Sequence, residues 1–156
     1  MVMVDQIKPR DVHAKSAAVI SSAVKWSAAA ALVPVPYVDL VALGAVQVKM
    51  VRDLARIYGV EAESETLQGV ISALLGTLAP AAISGSLLGS SLKIIPGGGT
   101  ILGSVGLVAF GSAATYAIGK IFVRHFEADG TLASFSAEAV EADLKQEFAT
   151  AKTKNQ

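Results

Sequence analysis

The sequence predicts an all-α fold, and three observations carry the prediction. Apolar residues recur at helical spacing before residue 60 and again after residue 136. Between those parts lie two long uncharged runs, dense in glycine, alanine and serine. A "PGGG" reversal separates the runs, as in a helical hairpin. The expected elements are an Ala-rich N-terminal helix, an amphipathic helix, a Gly-rich hydrophobic hairpin and a C-terminal amphipathic helix.

At 156 residues the chain has the length of one domain. Apolar residues make up 53% and mean hydropathy is +0.55; ordinary soluble domains hold about 45–50% apolar residues. Thirteen Lys/Arg balance thirteen Asp/Glu, so no global field draws the chain to nucleic acid or to acidic substrates. Residues 1–65 hold seven of each sign, residues 120–156 hold five basic and six acidic, and residues 66–119 hold only Lys93. The chain therefore reads as a polar head, an almost uncharged middle and a polar tail. With no cysteine, disulfides and thiolate metal sites are excluded. The N-terminus "MVMVDQIKPRDVHAKSAAV" has no uninterrupted apolar run before a small-residue cleavage site, so no cleaved secretory signal is expected.

The first helix is expected over 11–32, with Asp11 as N-cap and Val12, Val19, Ala23, Trp26 and Ala30 on one face. "VPVPY" ends it, because two prolines remove two N–H donors and push Val33 and Val35 towards extended geometry. Trp26 and Tyr37 suit a membrane-interface belt, although a core place is the commoner fate of such a tryptophan. The second helix is expected from Leu40, after Asp39, to Tyr58, with Gly59 as its stop. At 100° per residue it places Lys49, Arg52, Asp53 and Arg56 on one face and Leu43, Val46, Met50, Leu54 and Ile57 on the other. Gln47 falls within the apolar face and requires a partner, which makes it an inter-helix hydrogen-bond candidate.

"GVEAESETLQ" is a polar hinge to the hairpin. Its two runs, 66–92 and 101–119, reach the ~20 residues of a bilayer span. Gly85 and Gly89 form one small-xxx-small pair and Gly99 and Gly103 another, spacing that lets helices approach closely in lipid. Pro80 is expected to kink or break the first run. Lys49, Arg52 and Arg56 before the hairpin, and Lys120 and Arg124 after it, outnumber Lys93 in the turn. The positive-inside rule then puts both termini in the cytoplasm, at a bacterial inner membrane. The tail helix is expected from Ser136, with Val140, Leu144 and Phe148 as its apolar stripe. The regions are thus 1–65 (cytoplasmic or interfacial), 66–123 (hairpin) and 124–156 (linker and tail helix), in one structural unit.

No chemistry-bearing constellation stands out. "PGGGT" lacks the Lys-Ser/Thr of a phosphate loop. His13 and His125 lie in different polar flanks, and His125 beside Arg124 and Glu127 reads as a membrane-interface residue. Glu61, Glu63 and Glu65 have no accompanying ligands and read as solvated. No catalytic, cofactor or metal residue is assigned, and no enzyme activity is expected. Lys49, Arg52, Arg56, Lys120 and Arg124 are candidates for a lipid-headgroup or partner face.

Several pieces in combination resemble a known family. Pro34-Val-Pro36, Asp39, Gln47, Met50, "ARIYGVE", "LKIIPGGGTILG" and the exit "IFVRHFE" are similar to a bacterial domain family of unknown function associated with GTPases. The resemblance spans roughly Ala14 to Glu127. It implies a membrane-associated segment, often fused behind or encoded beside Era-like or dynamin-like GTPases, with no assigned enzymatic activity. The G domain of the fused members is missing here, so GTP hydrolysis is not carried over and a separate GTPase becomes a partner candidate. The expected function is a non-enzymatic integral membrane protein. It self-assembles through the Gly-rich hairpin and Gln47, and it scaffolds or shapes membrane or recruits a cytoplasmic partner. The alternatives are an oligomeric pore lined by hairpin residues such as Ser84, Ser90 and Thr100, and a soluble assembly with the hairpin buried between copies.

Overall fold

The computed structural model describes residues 9–30, 38–85 and 98–154. Over these the chain is all-α, with five helices in order: α1 (Pro9–Ala30), α2 (Val38–Ile57), α3 (Ser64–Gly85), α4 (Gly98–Glu127) and α5 (Glu141–Lys154). No strand occurs among the described residues. The turn around Lys93 and the residue Gly89 lie outside them. Gly85 closes α3, and Gly99 and Gly103 lie in the first turns of α4. The surroundings of these three glycines, and the side chains of Ser84, Ser90 and Thr100, likewise fall outside the described residues.

Local chemistry explains the helix ends. Pro9 opens α1, where its missing N–H would have had no helical partner. Asp11 therefore sits inside the first turn rather than at the cap, still complementing the helix dipole. α2 stops as expected at Gly59, whose φ of 69° is left-handed. Val60 N–H donates to the Ala55 carbonyl at 2.8 Å and Gly59 N–H to that of Arg56 at 3.3 Å, the paired bonds of a Schellman end. The end of α4 repeats the motif with Asp129 at φ 59° and Gly130 N–H on the His125 carbonyl at 2.9 Å. A side chain at position 130 would collide with the His125 ring.

Two expected boundaries move. The tail helix begins at Glu141, not Ser136. Ser136 Oγ instead accepts from Ala139 N–H at 3.3 Å and donates to the Glu138 carboxylate at 3.1 Å, closing a separate turn ahead of the helix. The Glu138 carboxyl is held below its ordinary value by a backbone hydrogen bond first and by Ser136 second. In α3 the expected break at Pro80 does not occur: the helix continues to Gly85. Pro80 is on the exposed side, and the preceding turns are anchored by Leu67, Ile71, Leu74 and Leu78, all buried.

α4 is the centre of the bundle and packs against each of the other four helices. Its residues Ala113, Ala114, Ala117, Ile118, Ile121, Phe122 and Phe126 are buried together with Met50, Val51 and Leu54 of α2. α5 adds Leu144, Phe148 and Ala151, and the Phe148 ring meets Phe110 edge-on at 5.6 Å. Below them Phe135 stacks on Phe122 at 4.6 Å. The bundle thus takes the beginning of one uncharged run and the end of the other into its own core. Among the described residues no helix is long and apolar enough to cross a membrane.

The buried row of α1 is Ser16, Ile20, Ala23 and Ser27, so the predicted apolar face is rotated. Trp26, expected on it, is 66% exposed. The reason is distance. At Gly119 of α4 a Cβ would lie 2.8 Å from Ile20 Cγ1 and 3.2 Å from Met50 Sδ, so α1 seats Ile20 against a glycine, with Ser16, Ala23 and Ser27 in the same row, and the contact has no room for an indole. Replacing Gly119 by Leu is expected to destabilise the full chain by about 2 kcal/mol or more through overpacking, read in denaturant or thermal unfolding. Gly69→Ala, in open space on α3, is expected to stabilise it by about 0.5–1 kcal/mol through helix propensity.

Candidate functional site

The four long helices alternate in direction, which separates two unlike ends. The start of α1 and the ends of α2 and α4 meet in a polar network. Ser16 Oγ donates to the Tyr58 hydroxyl at 3.3 Å, and Tyr58 donates to Glu127 Oε1 at 3.3 Å. His13 Nδ1 lies 3.1 Å from the same carboxylate oxygen. Burial, foremost, raises the Tyr58 pKa above its ordinary value, with the Glu127 charge adding to it against the opposing Ser16 bond. At the opposite end the end of α1 meets the start of α2, and there Trp26 and Val41 stand exposed. From that end the chain enters residues 81–107, whose one charge is Lys93.

Between the ends lies a buried polar seam. Ser27 of α1 and Thr115 of α4 share a hydrogen bond of 2.8 Å, and Gln47 Nε2 of α2 donates to Thr115 Oγ1 at 3.3 Å. All three side chains are fully buried, and Gln47 Oε1 has no partner among the described residues. Gly111 and Gly119 stand one helical turn either side of Thr115; a Cβ at Gly111 would lie 3.4 Å from Leu43 Cδ1. Gln47, singled out in the sequence, is thus engaged within one chain. The partners Ser27 and Thr115 are new, and so is the stripe Gly111, Thr115, Gly119. The signal for the stripe was its four-residue spacing of small residues on a helix.

The candidate cations are distributed rather than joined. On α2, Lys49 Nζ lies 2.6 Å from Asp53 and Arg56 3.4 Å from the same carboxylate. Arg52 beside them has no ion-pair partner among the described residues. Lys120 opens onto a groove of about 600 Å³ between α1 and α4, shared with His13 and Lys25. Arg124 instead pairs with Glu147 of α5, so its charge is met within the bundle. His125 is no free interface residue either. Its Nε2 is 2.7 Å from the Thr131 carbonyl oxygen, and its ring sits edge-on to Phe135 at 5.1 Å. Among the described residues no group of three or more His, Asp or Glu is placed to hold a metal ion.

The sequence model of a family described as "Domain of unknown function (DUF697)" matches residues 4–152. Magnetosome membrane protein 22 of Magnetospirillum gryphiswaldense is 36% identical over 139 residues, which cover 89% of this chain and 70% of that protein. No solved structure matches the chain.

Thr115→Val is expected to cost about 1–3 kcal/mol, because it strands the buried Gln47 amide and Ser27 hydroxyl. Gln47→Leu is expected to be near neutral, because it also removes the orphaned Oε1; both are read by denaturant unfolding. Tyr58 has a folded pKa above its unfolded one, so its contribution is present below pH ~10 and lost as pH rises through the folded value. Stability measured across the alkaline range is expected to fall less steeply in Tyr58→Phe than in the natural chain.

Proposed function

The chain belongs to the DUF697 family, and on that premise we propose that it is a non-enzymatic membrane protein standing on the bilayer by the end of its bundle that leads into residues 81–107. Residues 81–107 supply the inserting Gly-rich hairpin, with both termini in the cytoplasm of a bacterial cell. The observation that carries the reading is the polarity of the bundle, with exposed Trp26 and Val41 at the end leading into that segment and the His13, Tyr58 and Glu127 network at the other. An indole at the level of lipid headgroups is a favourable interfacial anchor. The likeness to a magnetosome membrane protein supports the same placement. Self-association through Gly85, Gly89, Gly99 and Gly103 is the proposed means of assembly. The polar end is the proposed recruiting surface for a cytoplasmic partner, for which the family resemblance suggests a separate GTPase.

One observation favours a second reading, a soluble assembly with the hairpin buried between copies. The bundle already withdraws Leu67, Ile71, Leu74 and Leu78 from one uncharged run and Ala113, Ala114, Ala117 and Ile118 from the other, leaving less apolar sequence for lipid. Carbonate-washed membranes separate the two readings: the chain is expected to stay in the pellet, and recovery of a soluble particle without detergent would give the second. Trp26 is the single tryptophan, so its emission reports insertion directly. Adding vesicles to the detergent-diluted protein is expected to shift that emission to shorter wavelength.

A further inference from the structure

A groove of about 760 Å³ runs between α2 and α3, and its two ends differ in chemistry. Towards the end of the bundle marked by Trp26 its walls are Val41, Val48 and Leu75. Towards the polar end they are Lys49, Arg52, Asp53, Arg56 and Gln68. From Val41 to Arg52 is eleven residues of helix, about 16 Å. The groove is therefore apolar along one part of its length, and at the other it carries three cations against the single carboxylate of Asp53. A docked amphipathic helix would ask for apolar and polar faces side by side along the whole groove. Segregation end to end suits a molecule with a head and a tail.

Two independent details point to an occupant. Lys49 and Arg56 both lie against Asp53, which leaves Arg52 without an acid in ion-pair range among the described residues. Glu61 and Glu63 line only a shallow hollow below Arg52 and Arg56 and reach neither in an ion pair. The second detail is Gly44. It lies within α2 and lines the groove, yet a Cβ there would meet nothing within 4 Å. A mid-helix glycine weakens a helix, and among the described residues no packing requires one at 44. It keeps the groove wide beside its apolar walls.

We infer that the α2–α3 groove binds one anionic phospholipid, with an acyl chain lying past Gly44 and the phosphate at Arg52 and Arg56. The site rests on the membrane reading for its orientation: tail towards the bilayer end, headgroup towards the cytoplasmic end. An arginine there gives the phosphate a fork of N–H donors.

The test uses the full chain in mild detergent, mixed with phosphatidylglycerol or phosphatidylcholine, with retained lipid counted by native mass spectrometry. One phosphatidylglycerol per chain is expected to be held in preference to phosphatidylcholine. Arg52→Gln is expected to reduce that retention about fivefold, the equivalent of the ~1 kcal/mol a basic residue contributes at an anionic surface. Gly44→Leu fills the groove in open space and is expected to abolish retention while leaving the helical circular dichroism unchanged. Gly69→Leu, on α3 outside the groove, is expected to retain lipid normally. Equal retention of the two lipids, or undiminished phosphatidylglycerol in Gly44→Leu, would overturn the site. A changed oligomeric mass in Gly44→Leu with unchanged lipid would assign the groove to a second copy and also overturn it. Trp26 emission with vesicles, measured on the same variants, separates failure of the site from failure of the membrane reading. A Gly44→Leu chain that still inserts but holds no lipid supports the site.

Discussion

The close approach of α4 to α1 and α2 governs the rest of the structure. At Gly119 there is no room for a Cβ beside Ile20 and Met50, and at Gly111 a Cβ would touch Leu43. Helices this close admit a large side chain only where a glycine makes room for it, as Gly119 does for Ile20, and α1 otherwise presents Ser16, Ala23 and Ser27 inward. Small hydroxyl residues in such a contact bring hydrogen-bonding groups with them, and those groups must be paired once buried. Thr115 does this for two helices at once, taking Gln47 from α2 and sharing a bond with Ser27 of α1. The polar seam is thus a consequence of tight packing, and it adds a directional element to an otherwise apolar contact.

The same constraint explains the division of the uncharged sequence. A glycine-rich, alanine-rich helix has little side-chain volume with which to bury area in isolation, and each exposed glycine weakens it. α4 compensates by being surrounded. Its second half contacts neighbouring helices on several sides, and Phe110, Phe122 and Phe126 fill the space the small residues leave. Sequence that reads as one membrane run from end to end therefore serves two purposes along its length. The part after Gly111 belongs to the core of the bundle. The part before it, together with the end of α3, lies towards the end marked by Trp26.

Most of the paired charge gathers towards one end, although Lys25 and Asp39 lie towards the other. The ion pairs and the His13, Tyr58 and Glu127 network lie on the lower α2 and at the polar end, whereas exposed Trp26 and Val41 mark the other. Alternating helix directions bring like sequence segments to like ends: the loop after α2 and the turn after α4 close the polar end with the same left-handed stop.

The sequence by itself determined the all-α class, the stop at Gly59, the outward cations of α2, and the inward Leu144 and Phe148 of the tail. It also marked Gln47 as a polar group on an apolar face. Each of these depends on periodicity or on the conformational preference of a residue and its near neighbours, which act within a few positions of chain. Only the tertiary structure decided that Gln47 meets Thr115, 68 residues away, that Arg124 meets Glu147, and that His125 folds back on the turn after its helix. It also turned Trp26 outward and carried α3 through Pro80. A helical wheel locates a face but not the distance of the helix opposite it. Here that distance, set by Gly111 and Gly119, decided which side chains could enter the interface and which had to face outward.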